Sequence, residues 1–457
     1  MNLRRRPLVM ATATGALAAG CAADMTATSR PHDEAGAGLQ GAITELVEDP
    51  DSPWLGAAAL VVRDGRPALQ AHIGWQRLDP GLAGGGLRTH ARTMFRMASL
   101  SKMVVAVGVM RLVEQGRLNL DEDVSAWLGW RLRHPQYPAR ALTLRALMSH
   151  RAGLSDAGGY AFGADVALRD VLEEGRPRFG RGGAWRKGRE PGTSFAYCNL
   201  AWGLIGTVME AATGERFDRL MQRLVLGPLG LRGGFDPSAW SQADRDDLAT
   251  LYRKRREEGG REIWDPAGPW VVQADDPATV RKGPPGLASY VPGTNGAVFG
   301  PQGSLRTSLA DLGVLMQVML AGGVHRGERF LAEDTVRALA SEQWRAGTPG
   351  AGDEDSGRAF VSWGLGVQRF TDTSAPGRGD RLVEGGGLTG WGHLGDAYGV
   401  LSTFVLDPVR RHGVVALLHG PTHEPFSAPG RWSSLARAEE RLLTAAWRHG
   451  LGGGAGA

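Results

Sequence analysis

The stretch FRMASLSK occupies residues 95–102 and leads directly into an apolar segment with helical spacing. That spacing runs from Leu100 to Leu112, and Gly116 is a typical helix stop. Ser99 stands where a loop enters this helix, and Lys102 follows three positions later. Because residues three apart share one face of a helix, the Ser99 and Lys102 side chains are predicted to meet at its first turn.

This pair of side chains suits nucleophilic catalysis. A serine that attacks a carbonyl group needs a neighbour that accepts its proton, and a lysine can do so only when burial or nearby positive charge lowers its pKa. Arginine cannot, because its guanidinium stays protonated. The chain has 52 Lys+Arg, of which only four are lysines, so Lys102 is an unusual choice in this composition. A Ser-x-x-Lys pattern arises by chance roughly one time in four in such a chain, so other residues must support it.

The overall composition predicts a globular protein. The 457 residues are 42% hydrophobic and 22% charged, and the formal net charge is +4. The arginines are scattered instead of forming one basic stripe, so we expect no nucleic-acid partner. Neither a C-x-x-C nor an H-E-x-x-H motif is present, and we predict no metal site and no cofactor.

The first residues have the features of a secretory signal. Arg4–Arg6 precede an apolar run of small residues that ends at Cys21. Residues 17–21 resemble the lipobox of bacterial lipoproteins, which would make Cys21 the lipidated N-terminus; an ordinary signal cleaved before Asp24 is the alternative. We therefore predict a signal peptide at 1–20, a tether at 21–38, and an exported protein of the bacterial cell envelope whose membrane contact is a lipid anchor.

The remainder of the chain predicts an α+β fold. Two apolar runs flank an Asp-Gly turn at 63–66, and two more flank 407–411, so both ends predict β-hairpins. The region between them is mostly helical in pattern. We predict an antiparallel sheet built from both termini and flanked by helices, with an α/β part at about 39–130 and 331–450, a mainly helical part at about 131–330, and a Gly/Ala tail at 451–457.

Three further segments resemble one known family. Residues 144–154, 191–199 and 303–311, together with the Ser-x-x-Lys motif, are similar to the serine β-lactamase and penicillin-binding superfamily, particularly its class C β-lactamase, D-aminopeptidase and esterase branch. The resemblance implies a two-region fold with the active site in a cleft between sheet and helices.

Within this resemblance, Tyr197-Cys198-Asn199 matches the family's second motif. A tyrosine beside a lysine ammonium is expected to have a lowered pKa, so Tyr197 would accept the serine proton and later activate water. Asn199 would orient Lys102 and hydrogen-bond the substrate carbonyl. We expect Cys198 to be buried and inert. The alternative from the residues alone is a packed tyrosine and a capping asparagine at a helix start.

The third motif departs further from the family pattern. His393-Leu394-Gly395 aligns best with the Lys/His-Thr/Ser-Gly motif, so His393 would supply positive or hydrogen-bonding character to the pocket. Leu394 lacks the hydroxyl that helps hold a substrate carboxylate, which argues against efficient β-lactam turnover. The resemblance also implies an oxyanion hole formed by the backbone N–H groups of Ser99 and Asp396. A strand-edge histidine with no chemical role is the alternative for His393.

These observations predict a serine hydrolase that cleaves a small ester, amide or peptide substrate through an acyl-enzyme on Ser99. A true class C-like β-lactamase or a D-Ala-D-Ala-type peptidase is the alternative within this class. A non-catalytic envelope protein that binds cell-wall peptide is the alternative outside it.

Overall fold

A computed structural model describes residues 31–82, 84–179, 183–348 and 359–452. The helices of this part of the chain are α1 (Pro31–Val47), α2 (Leu100–Glu114), α3 (Ser125–Leu128), α4 (Leu144–Met148), α5 (Leu168–Leu172), α6 (Leu200–Thr213), α7 (Phe217–Met221), α8 (Gly227–Leu229), α9 (Gln242–Asp246), α10 (Pro277–Val280), α11 (Leu309–Leu320), α12 (Glu333–Ala340) and α13 (Arg437–Ala446). The strands are β1 (Trp54–Arg63), β2 (Arg66–Leu78), β3 (Gly86–Arg88), β4 (Phe95–Arg96), β5 (Leu251–Glu258), β6 (Arg261–Trp264), β7 (Trp270–Ala274), β8 (Arg306–Thr307), β9 (Val324–His325), β10 (Glu328–Arg329), β11 (Trp344–Arg345), β12 (Ser362–Trp363), β13 (Gln368–Phe370), β14 (Ser374–Ala375), β15 (Arg378–Gly379), β16 (Gly390–Ala397), β17 (Val400–Asp407) and β18 (His412–Pro421).

A large antiparallel sheet joins the two ends of the chain. Over the described residues its strand order is β11-β12-β13-β16-β17-β18-β1-β2-β3. The first long strand, β1, pairs with the last, β18, and Ala59 lies opposite Ala416. The predicted hairpins are present as β1–β2 and β17–β18. The structure therefore confirms the predicted α+β class and the sheet built from both termini.

Strand β1 is buried on both faces, which explains its nearly continuous apolar sequence. Leu60 and Val62 point into a cluster that includes α2, α6 and α11, whereas Ala59 and Val61 point into a second cluster with α1 and α13. Gly313 brings α11 against the sheet, because a Cβ there would lie 2.4 Å from Leu60 Cδ2. Helices therefore cover both faces of the sheet.

Helix α2 is the central helix on one of those faces. Most of its residues from Leu100 to Leu112 are buried, so it is apolar around its whole circumference and not only on one side. Because the surrounding residues pack against it on every side, α2 has a fixed position, and so have the residues at its N-terminus.

Three features of the structure add detail to the predicted organisation. Helix α1 begins at Pro31, so the second half of the predicted tether 21–38 is helical. The mainly helical part, 131–330, also contains the small sheet β6-β5-β7. Within it, the basic run 253–256 resembles a solvated helix face in sequence, but it lies in β5, where Lys254 lies over Trp270 and Arg255 over Trp264. Cation–π contact with tryptophan stabilises a strand of this composition.

No helix among the described residues is both long and apolar enough to cross a membrane. The predicted signal peptide, Cys21 and most of the Gly/Ala tail lie outside those residues.

Candidate active site

The turn before α2 is fixed by strand pairing and by hydrogen bonds. β4 pairs with β8, which places residues 95–96 beside 306–307. The Met97 N–H donates to the Leu305 carbonyl at 2.8 Å, and the Ser101 hydroxyl donates to the Ala98 carbonyl at 2.6 Å. Ala98 has a φ of 46°, a left-handed conformation that is uncommon for a residue with a side chain. Such strain is often found at functional sites, and here it directly precedes Ser99.

Ser99 and Lys102 meet as the sequence predicts. Ser99 is the N-cap residue of α2, and Lys102 Nζ donates to Ser99 Oγ at 2.9 Å. Lys102 Nζ also donates to Asn199 Oδ1 at 2.8 Å and to the Gln302 carbonyl at 2.7 Å. The three N–H groups of an ammonium therefore each have an acceptor, and the amine is fixed against the serine.

Burial changes the acidity of this lysine. Lys102 has no exposed surface, and burial lowers its pKa to about 7, although the charge of Asp156 acts in the opposite direction. At neutral pH, a large fraction of Lys102 is therefore the neutral amine, which can accept a proton. Lys102 thus has the lowered pKa that a proton-accepting lysine requires.

The Tyr197 ring lies beside Ser99 and stacks between the rings of His150 and Phe360. Its ring stacks on His150 at 4.4 Å between centroids and, nearly parallel, on Phe360 at 5.1 Å. Lys102 Nζ lies 4.9 Å from the centre of the Tyr197 ring. Burial raises the pKa of Tyr197 well above its ordinary value, although a hydrogen bond with Ser99 opposes this shift. The expectation of a lowered Tyr197 pKa is therefore wrong, because burial outweighs the nearby ammonium, and the resting side chain is a neutral phenol.

Asn199 is held by an aspartate that sequence reasoning missed. The Asp156 carboxylate accepts from Asn199 Nδ2 and from the backbone N–H groups of Asn199 and Leu200, each at 2.9 Å. Asp156 therefore caps α6, while the Asn199 side chain forms no cap and reaches Lys102 instead. Cys198 is buried as predicted, and its thiol donates to Asp156 at 3.2 Å.

His393 lies on β16, packed edge-on against Trp363 at 5.3 Å and against Tyr197 at 6.4 Å. Burial and, to a lesser degree, the charge of Lys102 together lower the pKa of His393 to about 3. The positive character expected for His393 is therefore wrong at neutral pH, because a fully buried imidazole beside a lysine stays neutral. Its Nδ1 lies 2.5 Å from the Leu394 carbonyl oxygen.

The strand β16 approaches the serine closely at Gly395. A Cβ at this position would lie 2.9 Å from the Met97 carbonyl oxygen and 3.1 Å from Ala98 Cβ, so only glycine allows this approach. Asp396 follows at the rim. A half-open cavity of about 290 Å³ lies here. The predicted site residues that line it are Ser99, Tyr197, Asn199, His393 and Asp396.

The structure adds residues to those predicted. His150, Asp156, Gln302 and Phe360 each contact a predicted site residue, and Glu439 lines the cavity from α13. His150 and Gln302 lie in or next to the segments that resemble the family, so a signal for them was present. The others show no spacing that would mark them in a single sequence. No group of three or more potential metal ligands occurs among the described residues.

A comparison with protein families agrees with this geometry. The family model described as Beta-lactamase matches residues 39–438, which is most of the chain. The chain belongs to the beta-lactamase family. Within this family it is similar to esterase EstB from Burkholderia gladioli, with 32% identity over 190 residues, covering 39% of this chain and 46% of EstB. It is also similar to the D-alanyl-D-alanine-carboxypeptidase/endopeptidase AmpH from Escherichia coli K12, with 27% identity over 175 residues, covering 38% of this chain and 43% of AmpH. The chain thus matches less than half the length of these two curated relatives.

Solved structures share the fold over nearly the whole chain. The D-amino acid amidase from Ochrobactrum anthropi SV3, complexed with L-phenylalanine, has a TM-score of 0.60 and 16% identity, covering 91% of this chain and 99% of the amidase. EstCE1, described as a hydrolase with promiscuous acyltransferase activity, has a TM-score of 0.57 and 21% identity, again covering 91% and 99%. At these identities the similarity establishes the family's fold and not a shared substrate.

Proposed function

We propose that the protein is a serine hydrolase that cleaves an ester or amide bond through an acyl-enzyme on Ser99. The observation that carries this proposal is the 2.9 Å hydrogen bond between Ser99 and a fully buried Lys102. Membership of a family that includes esterases and peptidases agrees with it. The neutral Lys102 amine takes the Ser99 proton as Oγ attacks the substrate carbonyl carbon.

The oxyanion is stabilised by the backbone N–H groups of Ser99 and Asp396. Two observations support this assignment. The Ser99 N–H donates to no backbone carbonyl among the described residues, and Gly395 brings the strand that carries Asp396 against the Ser99 turn. Donors that are already fixed in place stabilise the tetrahedral intermediate without reorganisation.

Tyr197 connects the two halves of the reaction. Its phenol gives its proton to the leaving group as the acyl bond to Ser99 forms, which leaves a phenolate beside the protonated Lys102. That phenolate then takes a proton from the attacking water, and Lys102 returns its proton to Ser99 when the acid leaves. Every proton is accounted for, and the high pKa of the buried Tyr197 makes its phenolate a strong base. Asn199 keeps the Lys102 amine directed at the serine.

Intact-mass detection of an acyl-enzyme tests this proposal. The purified protein is mixed with a short-chain nitrophenyl ester, a D-amino acid amide, a D-Ala-D-Ala peptide and a chromogenic cephalosporin. We expect a mass increase equal to the acyl group with at least one ester or amide, and none in Ser99→Ala. Cys198→Ser, which lacks the buried thiol, should still be acylated.

The panel also separates the alternatives. Turnover of the cephalosporin or of the D-Ala-D-Ala peptide well above that of the ester would assign the protein to the β-lactamase or peptidase type. Binding of cell-wall peptide without any covalent adduct would favour the non-catalytic envelope protein and contradict the proposal.

We further propose that the protein is exported and anchored through a lipid on Cys21. The supporting observation is the basic, then apolar segment before Cys21. Expression in a bacterium fed an alkyne-tagged fatty acid should label the wild type in the membrane fraction. Cys21→Ser should be unlabelled and released, and labelling that persists in this variant would contradict the anchor.

A further inference from the structure

Two arginines lie opposite each other beside the Ser99 turn. Arg96 of β4 pairs with Arg306 of β8, so both side chains lie on the same face of this short strand pair. The side chain of Arg306 is 8% exposed and that of Arg96 is 12% exposed. Like charges directly opposite each other destabilise a strand pair, and buried charges are screened little by water. Burial and, after it, the charge of Arg96 accordingly lower the pKa of Arg306.

The carboxylate of Asp275 lies between the two guanidinium groups, and its side chain is 1% exposed. Its Oδ1 accepts from Arg96 at 2.9 Å and from Arg306 at 2.7 Å, and its Oδ2 accepts from Arg96 at 3.2 Å. Asp236 attracts Arg306 more weakly and also lies 3.7 Å from Arg216. Asp275 therefore provides most of the negative charge that balances the two arginines.

The backbone around Asp275 fits this position. Asp275 directly follows β7, so it comes from the small sheet β6-β5-β7. Its carbonyl accepts from the Thr250 hydroxyl at 3.2 Å. Its φ of 60° is left-handed, a conformation that aspartate and asparagine adopt more readily than other residues with a side chain. The small sheet thus places one carboxylate beside the strand pair that precedes α2.

Arg96 connects the charge cluster to the proposed nucleophile. It stands three positions before Ser99, and the left-handed Ala98 lies between them. A strained backbone of this kind persists only where the surrounding structure holds it. The contact between Arg96 and Asp275 holds the strand that leads into this turn.

The cluster also contacts the segment that binds Lys102. Arg96 donates to Ser304 Oγ at 3.1 Å, and Arg306 donates to the Ser304 carbonyl at 2.9 Å. Ser304 lies two positions after Gln302, whose carbonyl accepts from Lys102 Nζ at 2.7 Å. A displacement of the two arginines would therefore move the partners of both Ser99 and Lys102.

We propose that Asp275 is a positioning residue for acyl transfer: by balancing the two guanidinium charges, it keeps Ser99 aligned with Lys102. Asp275 does not line the Ser99 cavity, so it acts through its neighbours and not on the substrate. This inference rests on the proposed hydrolase function and adds a residue that this function requires.

Asp275→Asn tests the role of the charge, because asparagine has nearly the same shape and tolerates the same φ. The assay is the labelling of Ser99 by a fluorophosphonate probe, followed to completion. We expect the rate constant to fall about 10- to 100-fold, since a displacement of about 1 Å can cost 10²-fold, while the final labelled fraction stays that of the wild type. A lower labelled fraction at an unchanged rate constant would mean loss of folded protein and would overturn the inference.

A second substitution tests the charge balance. Asp275→Asn combined with Arg306→Gln again leaves one guanidinium fewer, and the glutamine amide keeps N–H donors for the Phe235 and Ser304 carbonyls that Arg306 binds. Arg306 does not line the Ser99 cavity either. We expect the double variant to be labelled at least about threefold faster than Asp275→Asn. A role limited to hydrogen bonding predicts a further loss, so a double variant that is no faster would contradict the charge balance.

Asp372→Asn is the matched control. Asp372 has a φ of 61° and binds Arg381 at 2.9 Å, but neither residue lines the Ser99 cavity. This variant loses an ion pair in the same backbone conformation and should be labelled like the wild type. Equal slowing in Asp372→Asn and Asp275→Asn would overturn the inference.

Hydrogen exchange separates this result from the hydrolase proposal, because it needs no turnover. The Met97 N–H donates to the Leu305 carbonyl, and the Leu305 N–H donates to the Ser101 hydroxyl. Peptides that span 94–103 and 300–307 should exchange at least about tenfold faster in Asp275→Asn and more slowly again in the double variant, even if the wild type is never acylated. Exchange equal to that of the wild type would contradict the positioning role even if an acyl-enzyme forms on Ser99.

Discussion

The pH dependence of acylation is the sharpest test of the proposed proton acceptor. Burial lowers the pKa of Lys102 to about 7, and only its neutral amine can take the Ser99 proton. The acylation rate should therefore follow the neutral fraction. For a pKa of about 7 that fraction is about 1% at pH 5 and about 90% at pH 8, so the rate should rise roughly 90-fold between them and then level off.

Other acceptors would give a different curve. A lysine that kept its ordinary pKa of 10.5 would let the rate rise about tenfold with each pH unit through pH 9. A resting Tyr197 phenolate would do the same, because burial raises the pKa of that phenol. The position of the bend in the pH profile thus identifies the group that accepts the proton.

The assay is the rate at which a fluorophosphonate probe labels Ser99 between pH 5 and pH 9. Two variants test whether the bend in the pH profile belongs to Lys102. The Asp156 charge raises the pKa of Lys102, so Asp156→Asn should move the bend to lower pH. Lys102→Arg should slow labelling by a factor on the order of 10² to 10⁴, the usual contribution of a general base. A profile without a bend below pH 9, or a bend near pH 7 that survives in Lys102→Arg, would refute the reasoning.

Four further predictions concern single residues. Tyr197→Phe should slow both acylation and deacylation of an amide on the order of 10²-fold in single-turnover intact-mass measurements, because the phenol protonates the leaving group and its phenolate activates water; an unchanged rate in both steps would count against the relay. Gly395→Ala should lower acylation at least about tenfold while circular dichroism stays native, since its Cβ would lie 2.9 Å from the Met97 carbonyl and displace β16. Burial raises the pKa of Glu439 from 4.5 to about 8, so the folded wild type binds the proton more tightly than the unfolded chain and loses stability as the pH rises from 4.5 to 8. In Glu439→Gln, the free energy of unfolding in urea should depend less on pH in this range, by at most about 1.36 kcal/mol per pH unit. Burial lowers the pKa of His419 from 6.5 to about 3, so stability is lost as pH falls from 6.5 towards 3, and His419→Leu should reduce that loss in the same measurement.

Local patterns in the sequence were sufficient for two hairpins of the sheet and for the Ser99–Lys102 pair. Apolar runs around turns identify β1–β2 and β17–β18, because a hairpin is a local structure. The three-residue spacing of Ser99 and Lys102 on α2 is likewise local, and their 2.9 Å contact follows from helix geometry.

The surroundings of the site could not be predicted in this way. Asp156 reaches Asn199 across 43 positions and Gln302 reaches Lys102 across 200, and neither separation has a period that a single sequence reveals. The acidities of Tyr197 and His393 depend on burial, which only the folded chain sets. For this reason the expected lowering of the Tyr197 pKa was wrong, and so was the positive part of the positive or hydrogen-bonding character expected for His393.

The pairing of β1 with β18 has a consequence for when the molecule becomes able to react. The two strands meet across the sheet although 348 positions separate Asp64 from His412 at their joined ends. A ribosome makes β1 and the Ser99 turn early, but β16 and β18 are made near the end of translation. Contacts between such distant parts form late and slowly, so the growing chain holds the proposed nucleophile without the strand that completes the proposed oxyanion site. The order of synthesis therefore delays the proposed chemistry until nearly the whole chain has been made.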